Sequence, residues 1–233
     1  MIKEDFFPNN IVMGYSQIKD GPMQDMKNKK EFIKDIFSEN GLIVNPTPVH
    51  GSDVLPVKNK RFDNQTEGDS IITTEKGVIL SMAMADCFPI YFYDPVNKAI
   101  GLTHGGWKGL LKGIIENTVI QMKYNFNTNP EDLMVYIGPG ICSKCFEVKK
   151  DAPEYFANPY SEIRMGIGDE KGKWFGNLSV EIYKRLLSIG CRKFESSGEC
   201  TCCKEGVFSK TKKYYSFRRD KDYNRNLAFI GIK

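Results

Sequence analysis

The stretch GVILSMAMADCFPIYFYDPVNKAIGLTHGGWKG, residues 77–109, decides the reading of this chain. Residues 78–85 are apolar and bounded by Gly77 and Asp86, which predicts a buried strand. Residues 88–93 and 98–103 flank the turn-forming Asp94-Pro95-Val96-Asn97, which predicts the two strands of a hairpin. The run 107–123 then places Leu110, Leu111, Ile114, Ile115, Val119 and Met122 at helical spacing, although Gly109 and Gly113 lower its helix propensity.

Working outward, residues 25–39 carry Met26, Phe32, Ile33, Ile36 and Phe37 on a helical period, with Asn40-Gly41 as the stop. Short apolar segments at 70–74, 134–137, 192–195 and 227–232 read as strands, and Gly138-Pro139-Gly140 as a loop. A second helix is predicted over 177–188, capped by Asn177 or Ser179 and stopped by Gly190. Strands in pairs between isolated helices predict a mixed α/β architecture with helices outside the sheets, rather than a regular βαβ alternation. No repeat, low-complexity tract or flexible linker divides residues 1–233, so a single domain is expected.

Composition narrows the classes. Charged residues make up 27% and hydrophobic ones 41%, ordinary for a folded water-soluble chain. A net charge of +4, with lysines spread rather than striped, gives no basis for nucleic-acid binding. The most apolar stretch, 77–93, contains Asp86 and Pro89 and is no membrane span. The opening Met1-Ile2-Lys3-Glu4-Asp5 lacks the apolar core of a secretory signal, and seven cysteines, an odd number, read as thiols or ligands; a cytoplasmic location is expected.

The chain has only two histidines, His50 and His104, each followed by glycine, with Cys87 between them in sequence. Imidazole and thiolate are the donors zinc prefers, and three protein ligands leave a fourth position for water or substrate. His50, Cys87 and His104 are therefore the expected metal ligands, although they lie too far apart in sequence to match any short zinc motif. Packed histidines and a small buried cysteine are the structural alternative. Asp86 adjoins Cys87 and is a candidate proton carrier.

Two further constellations stand out. Cys142-Ser143-Lys144-Cys145 and Cys200-Thr201-Cys202-Cys203 could build a closed site of four thiolates, with Cys202 interrupting the second pair. Arg218, Arg219 and Arg225 sit among Tyr214, Tyr215 and Phe217, suited to oxyanion recognition and to stacking on a planar base, or else to a basic edge strand or solvated turn. Lys108, in His104-Gly105-Gly106-Trp107-Lys108-Gly109, stands where glycine-rich backbone meets a helix start and could help hold an anion, though a tight packed turn explains the segment as well.

Taken together, several ordered motifs resemble the YfiH-type laccase-domain family, also described as multicopper polyphenol oxidase-like proteins. They are Glu67-Gly68-Asp69-Ser70-Ile71-Ile72-Thr73, Ala85-Asp86-Cys87-Phe88-Pro89, the His104–Gly109 segment, Ile137-Gly138-Pro139-Gly140-Ile141 with Phe146-Glu147-Val148, Cys200-Thr201, and Tyr215-Ser216-Phe217-Arg218-Arg219 with Arg225. The chain departs at Gly105 and Lys108, where the family tends to have Ala and Arg, and at Tyr223-Asn224-Arg225, where it has Thr-Gly-Arg.

The resemblance implies a single-domain four-layer α/β/β/α sandwich with mixed sheets, a homodimer, and zinc (copper being the older assignment) on His50, Cys87 and His104. It implies a purine nucleoside phosphorylase acting on adenosine, inosine and methylthioadenosine, with adenosine deaminase activity. On that reading the partners are a small-molecule nucleoside and phosphate. Cys87, Asp86 and His104 are the expected catalytic residues, and Lys108, Arg218, Arg219 and Arg225 the expected phosphate ligands. Two alternatives stay open: a cysteine hydrolase or amidase with Cys87 as nucleophile and His104 as base, editing peptidoglycan precursors, and a non-catalytic zinc-stabilised binding protein.

Overall fold

The computed structural model describes residues 6–34, 36–37, 41–148, 174–203 and 212–233. Its strands are β1 (Ile11–Tyr15), β2 (Leu42–Val44), β3 (Val54–Pro56), β4 (Ser70–Thr73), β5 (Val78–Met84), β6 (Phe88–Asp94), β7 (Ala99–Gly105), β8 (Met134–Ile137), β9 (Glu147–Val148), β10 (Trp174–Phe175), β11 (Lys193–Ser196) and β12 (Asn226–Ile232). The α-helices are α1 (Met26–Lys34), α2 (Trp107–Leu111), α3 (Ile114–Phe126), α4 (Leu178–Ser188) and α5 (Phe217–Asp220).

Two mixed sheets dominate, ordered β1-β12-β5-β2 and β11-β8-β6-β7-β4-β3. Every residue of β6 and β12 is buried, and alternation assigns each one to a layer. Phe88, Ile90 and Phe92 face α2, α3 and α4, in a core with Leu110, Ile114, Val119, Leu178, Ile182 and Leu186. The intervening Tyr91 and Tyr93 join Leu80, Met82, Met84, Ala228 and Ile230 in the core between the sheets. On the far side of the smaller sheet, Ile79, Leu227 and Phe229 pack against Ile33 of α1. The result is the four-layer α/β/β/α sandwich, with three apolar cores between four layers. Among the described residues no helix is long and apolar enough to cross a membrane.

The predicted hairpin forms with Asp94 opposite Ala99. Its turn is closed by the Asp94 carboxylate, which accepts the Val96 and Asn97 N–H groups at 2.8 and 3.0 Å. Other expectations needed correction. The single helix over 107–123 is two, because Gly113 adopts φ 80° between α2 and α3, a left-handed conformation that breaks the hydrogen-bond ladder. The helix over 25–39 ends at Lys34, with Phe37 N–H still reaching Ile33 O at 3.1 Å; Glu39 and Asn40 lie outside the described residues. The Arg218-Arg219 segment is not an edge strand but a one-turn helix, capped by the Ser216 hydroxyl, which accepts from Arg219 N–H.

Phe229 carries the docking of α1: its ring meets Phe32 and Phe37 edge-on at centroid distances of 5.9 and 6.2 Å, and it is fully buried. Phe229→Ala is expected to cost about 3–5 kcal/mol. Thermal unfolding should register this as a melting temperature lowered by roughly 10 °C.

Candidate functional site

Two connections and the end of a strand bring the histidines and Cys87 together. His50 lies in the loop between β2 and β3, Cys87 in the link between β5 and β6, and His104 near the end of β7. Antiparallel pairing sets Pro89 opposite His104 and Phe88 opposite Gly105, so the residue before β6 necessarily lies beside the end of β7. The donor atoms of His50, Cys87 and His104 fall within 4.8 Å of one another. Cys87 Sγ is 3.9 Å from His50 Nε2, and the imidazoles meet at 75° with centroids 4.8 Å apart.

The room between these donors exists because residue 106 is glycine. A Cβ there would sit 2.9 Å from His50 Cδ2, 3.2 Å from Cys87 Sγ and 3.4 Å from His104 Cε1. Gly105 is under a similar constraint, since its Cβ would meet the Phe88 carbonyl oxygen at 2.8 Å. Alanine, expected at 105 from the family pattern, is thus excluded here by backbone unless β6 shifts.

Asp69, which the sequence reading did not single out as a functional residue, organises the whole cluster. Its side chain is fully buried, and one carboxylate oxygen lies 2.8 Å from His104 Nδ1. The same carboxylate accepts three consecutive backbone N–H groups, from Val49 at 3.1 Å, His50 at 3.0 Å and Gly51 at 2.7 Å. That curl requires a left-handed His50, at φ 57°. One anion thereby fixes the ring of one histidine and the backbone of the other. The available signal was an acidic residue directly preceding the short apolar segment 70–74, which the structure shows as a strand buried at every position, Ser70–Thr73. A carboxylate there must have partners, because an unpaired buried charge is too costly.

The electrostatics follow from these contacts. Burial would raise the Asp69 carboxyl, but the hydrogen bonds from His104 and Gly51 hold it below its ordinary value. Burial would likewise raise Cys87, but the His104 charge and hydrogen bonds from His104 and His50 bring it down to about 6. Burial would lower His104; the Cys87 thiolate and the Asp69 hydrogen bond instead raise it to about 10. These shifts favour a thiolate at Cys87 and a protonated ring at His104, each stabilising the other.

Tetrahedral zinc, with bonds of about 2.0–2.3 Å to nitrogen and sulfur, spaces its donors by roughly 3.3–3.8 Å. The 3.9 Å between Cys87 and His50 is close to that spacing. Two imidazoles, one thiolate, a carboxylate behind one imidazole and a cradle that a Cβ would fill suit a single ion with an open position. They do not suit a multinuclear copper centre, which needs more imidazoles than the two histidines of the chain.

The remaining expected site residues divide. Asp86, at φ 75°, accepts the Thr201 hydroxyl at 2.8 Å on one carboxylate oxygen and the Arg218 backbone N–H at 2.7 Å on the other. It ties the Cys200 turn and α5 to the link carrying Cys87. Arg219, expected to hold phosphate, has a side chain only 6% exposed, paired with Asp220 and donating to the Thr201 and Tyr214 carbonyls. Arg218 donates to the Cys145 and Glu147 carbonyls and lies over the Phe146 ring. Arg225 stacks near Phe217 and Tyr223, both exposed, and Lys108 is exposed beside Trp107. The thiols of Cys142, Cys145, Cys200 and Cys203 form a second cluster that leaves out Cys202.

Fold and site together define an α/β sandwich protein in which His50, Cys87 and His104 are grouped as candidate ligands for one metal ion. Residues 9–233 match the family described as multi-copper polyphenol oxidoreductase laccase, and the chain belongs to that family. It is similar to the purine nucleoside phosphorylase YfiH of Escherichia coli, 26% identical over 206 residues, covering 87% of this chain and 80% of the relative. A purine nucleoside phosphorylase of Clostridium acetobutylicum is 31% identical over 232 residues, covering 86% and 94%. The crystal structure of YlmD from Geobacillus stearothermophilus superposes with a TM-score of 0.81 at 26% identity, covering 99% and 94%.

Gly106→Ala should leave the far-ultraviolet circular dichroism unchanged while its methyl group, crowding all three donors, weakens metal binding at least tenfold. Asp69→Asn should weaken it by about 10–100-fold, the usual effect of removing a ligand's orienting partner. Competition with a chromophoric chelator measures both; undiminished affinity in either variant refutes the assigned role.

Proposed function

We propose that this chain is a zinc-dependent purine nucleoside phosphorylase that acts on adenosine, inosine and methylthioadenosine and also deaminates adenosine. The observation carrying the proposal is the convergence of His50, Cys87 and His104 donors within 4.8 Å around the space that Gly106 leaves. The names of its relatives supply the substrate class. The same reading makes it a single-domain cytoplasmic enzyme, working as a homodimer.

His50, Cys87 and His104 would hold the zinc, which would supply a Lewis acid to water or substrate. In phosphorolysis a phosphate oxygen bonds to ribose C1′ as the C1′–N9 bond breaks, and the electron pair and a proton go to the purine. Lys108, four residues beyond His104, and Arg225, beside exposed Phe217 and Tyr223, are the cations assigned to phosphate and to the edge of the base. Arg218 and Asp86 act as positioning residues, holding the Cys145 loop and the Cys200 turn around Cys87. Asp69 keeps His104 oriented with Nε2 toward the other donors. In deamination a water oxygen replaces the C6 amino group, which leaves as ammonia.

One observation favours a second reading. Cys87, His104 and Asp69 also stand in the order of a nucleophile, a base and the acid that orients it, as a cysteine hydrolase requires. That reading makes the metal an inhibitor rather than a helper.

Adenine release from adenosine, followed with and without phosphate, separates the two. Phosphate-dependent release is expected, abolished by chelation and restored by zinc, and lowered at least 100-fold in Cys87→Ala and His104→Ala. Full phosphorolysis by either variant would end the proposal. Amide cleavage that rises on chelation, together with alkylation of Cys87, would install the hydrolase instead.

A further inference from the structure

Four cysteines that this centre does not use meet elsewhere in the fold. β8 and β11 are parallel neighbours, with Ile137 paired to Ser196, so the loops leaving their C-terminal ends run together. Gly140 bridges Cys200 between those loops: its N–H donates to the Glu199 carbonyl at 3.2 Å, and its carbonyl accepts from Thr201 N–H at 3.1 Å. Each loop presents two cysteines separated by two residues, Cys142 with Cys145 and Cys200 with Cys203. The Cys142 carbonyl accepts the N–H groups of Cys145 and Phe146, both at 3.0 Å, which curls the first pair so that both sulfurs point the same way.

The four Sγ atoms lie within 4.8 Å of one another. Cys203 Sγ is almost equidistant from Cys142, at 3.6 Å, and Cys145, at 3.5 Å. Disulfide sulfurs lie about 2.0 Å apart and in pairs. The sulfurs around one tetrahedral zinc, each about 2.3 Å from the ion, lie about 3.8 Å apart with no pairing. The observed spacing is of the second kind. Independently, Cys200 Sγ accepts backbone N–H groups from Cys142 at 3.2 Å and Cys203 at 3.4 Å. Amides aimed at a sulfur stabilise it as a thiolate ligand and orient it.

We propose that Cys142, Cys145, Cys200 and Cys203 bind one zinc ion in a closed structural site. With four protein ligands it has no position for substrate. What it does is clip together the two loops whose groups hold Asp86, the residue before Cys87. Thr201, within the second pair, donates its hydroxyl to Asp86, and Ile141, just before the first pair, donates its N–H to the Asp86 carbonyl at 2.8 Å. The Cys145 carbonyl holds Arg218, and the Thr201 and Cys202 carbonyls hold Arg219. The proposal does not rest on the activity assigned above.

The test is elemental analysis of protein purified from zinc-supplemented culture. Two zinc ions per chain are expected, one in His104→Ala and one in Cys142→Ser. The Cys142→Ser melting temperature should fall by roughly 10 °C, the effect of losing a tightly bound native-state ligand in a chain of this size. Should Cys142→Ser fail to fold, cobalt(II) replaces zinc in His104→Ala, where intense sulfur-to-cobalt charge-transfer absorption with tetrahedral d–d bands is expected. A single zinc in the wild type that vanishes in His104→Ala overturns the proposal. So do iron or acid-labile sulfide in place of the second zinc, disulfides among these four cysteines in the native protein, or a cobalt spectrum without thiolate charge transfer.

Discussion

The Asp69 carboxylate is the constraint on which the centre depends. It is fully buried, where an unpaired charge would cost several kcal/mol, and it is matched by three backbone N–H groups and one imidazole. Hydrogen bonds to a charged group each contribute about 1.5–3 kcal/mol. The loop carrying His50 has no strand between β2 and β3 and only one isolated bridge, Thr47 to Glu67, so this anion is what holds its His50 end. The main chain reinforces the arrangement, because His104 N–H donates to the Asp69 carbonyl at 2.8 Å in the β4–β7 pairing. A histidine from an irregular loop and one from a strand are thus referred to a single residue, and their separation becomes a property of the sheet.

Close packing fixes the rest of the distances. Gly109 lets α2 come down on the His50 loop, since a Cβ there would lie 2.9 Å from the Gly51 carbonyl oxygen. Lys112 Nζ and Asn117 Nδ2, from the α2–α3 region, donate to the His50 and Ser52 carbonyls and press the loop onto the sheet end. The glycines that reduce helix propensity around residue 109 are therefore conditions for the site. Here function and local propensity pull apart, and the strand-bound histidine with its tight neighbours prevails.

Much of this was legible in the sequence, for identifiable reasons. The strands flanking Cys87 and the hairpin were readable because their apolar runs end at charges, glycine and proline, and α4 because Asn177 and Gly190 punctuate it. The candidate metal donors stood out by scarcity, there being only two histidines. β1, β2 and β3 were not, because three to five apolar residues carry no period, and their strand character comes from partners such as β12 and β5 supplied late or far away in the chain. Asp69 was missed because a carboxylate acting through backbone amides leaves no spacing rule. The pairing of Arg219 was not legible, because composition shows that a guanidinium is present but not that Asp220, one residue on, is its partner.

The two cysteine-containing clusters differ in the number of donors, and that number follows from how each is built. Around Cys87 two connections and the end of β7 each contribute one donor, and Gly106 adds no side chain beside them. At the ends of β8 and β11 two parallel loops each contribute two donors from a turn, and four sulfurs close the shell. Both clusters reach Asp86: its neighbour Cys87 belongs to the first, and its partner Thr201 lies inside the second. Since Asp86 adopts a left-handed backbone at φ 75°, a conformation unfavourable for a side chain larger than glycine's, its hydrogen bonds to Thr201 and Arg218 are what hold it there. A rigid second cluster thereby sets the position of the residue next to the thiolate of the open one. The closed shell supplies no chemistry and instead keeps the reactive shell in place.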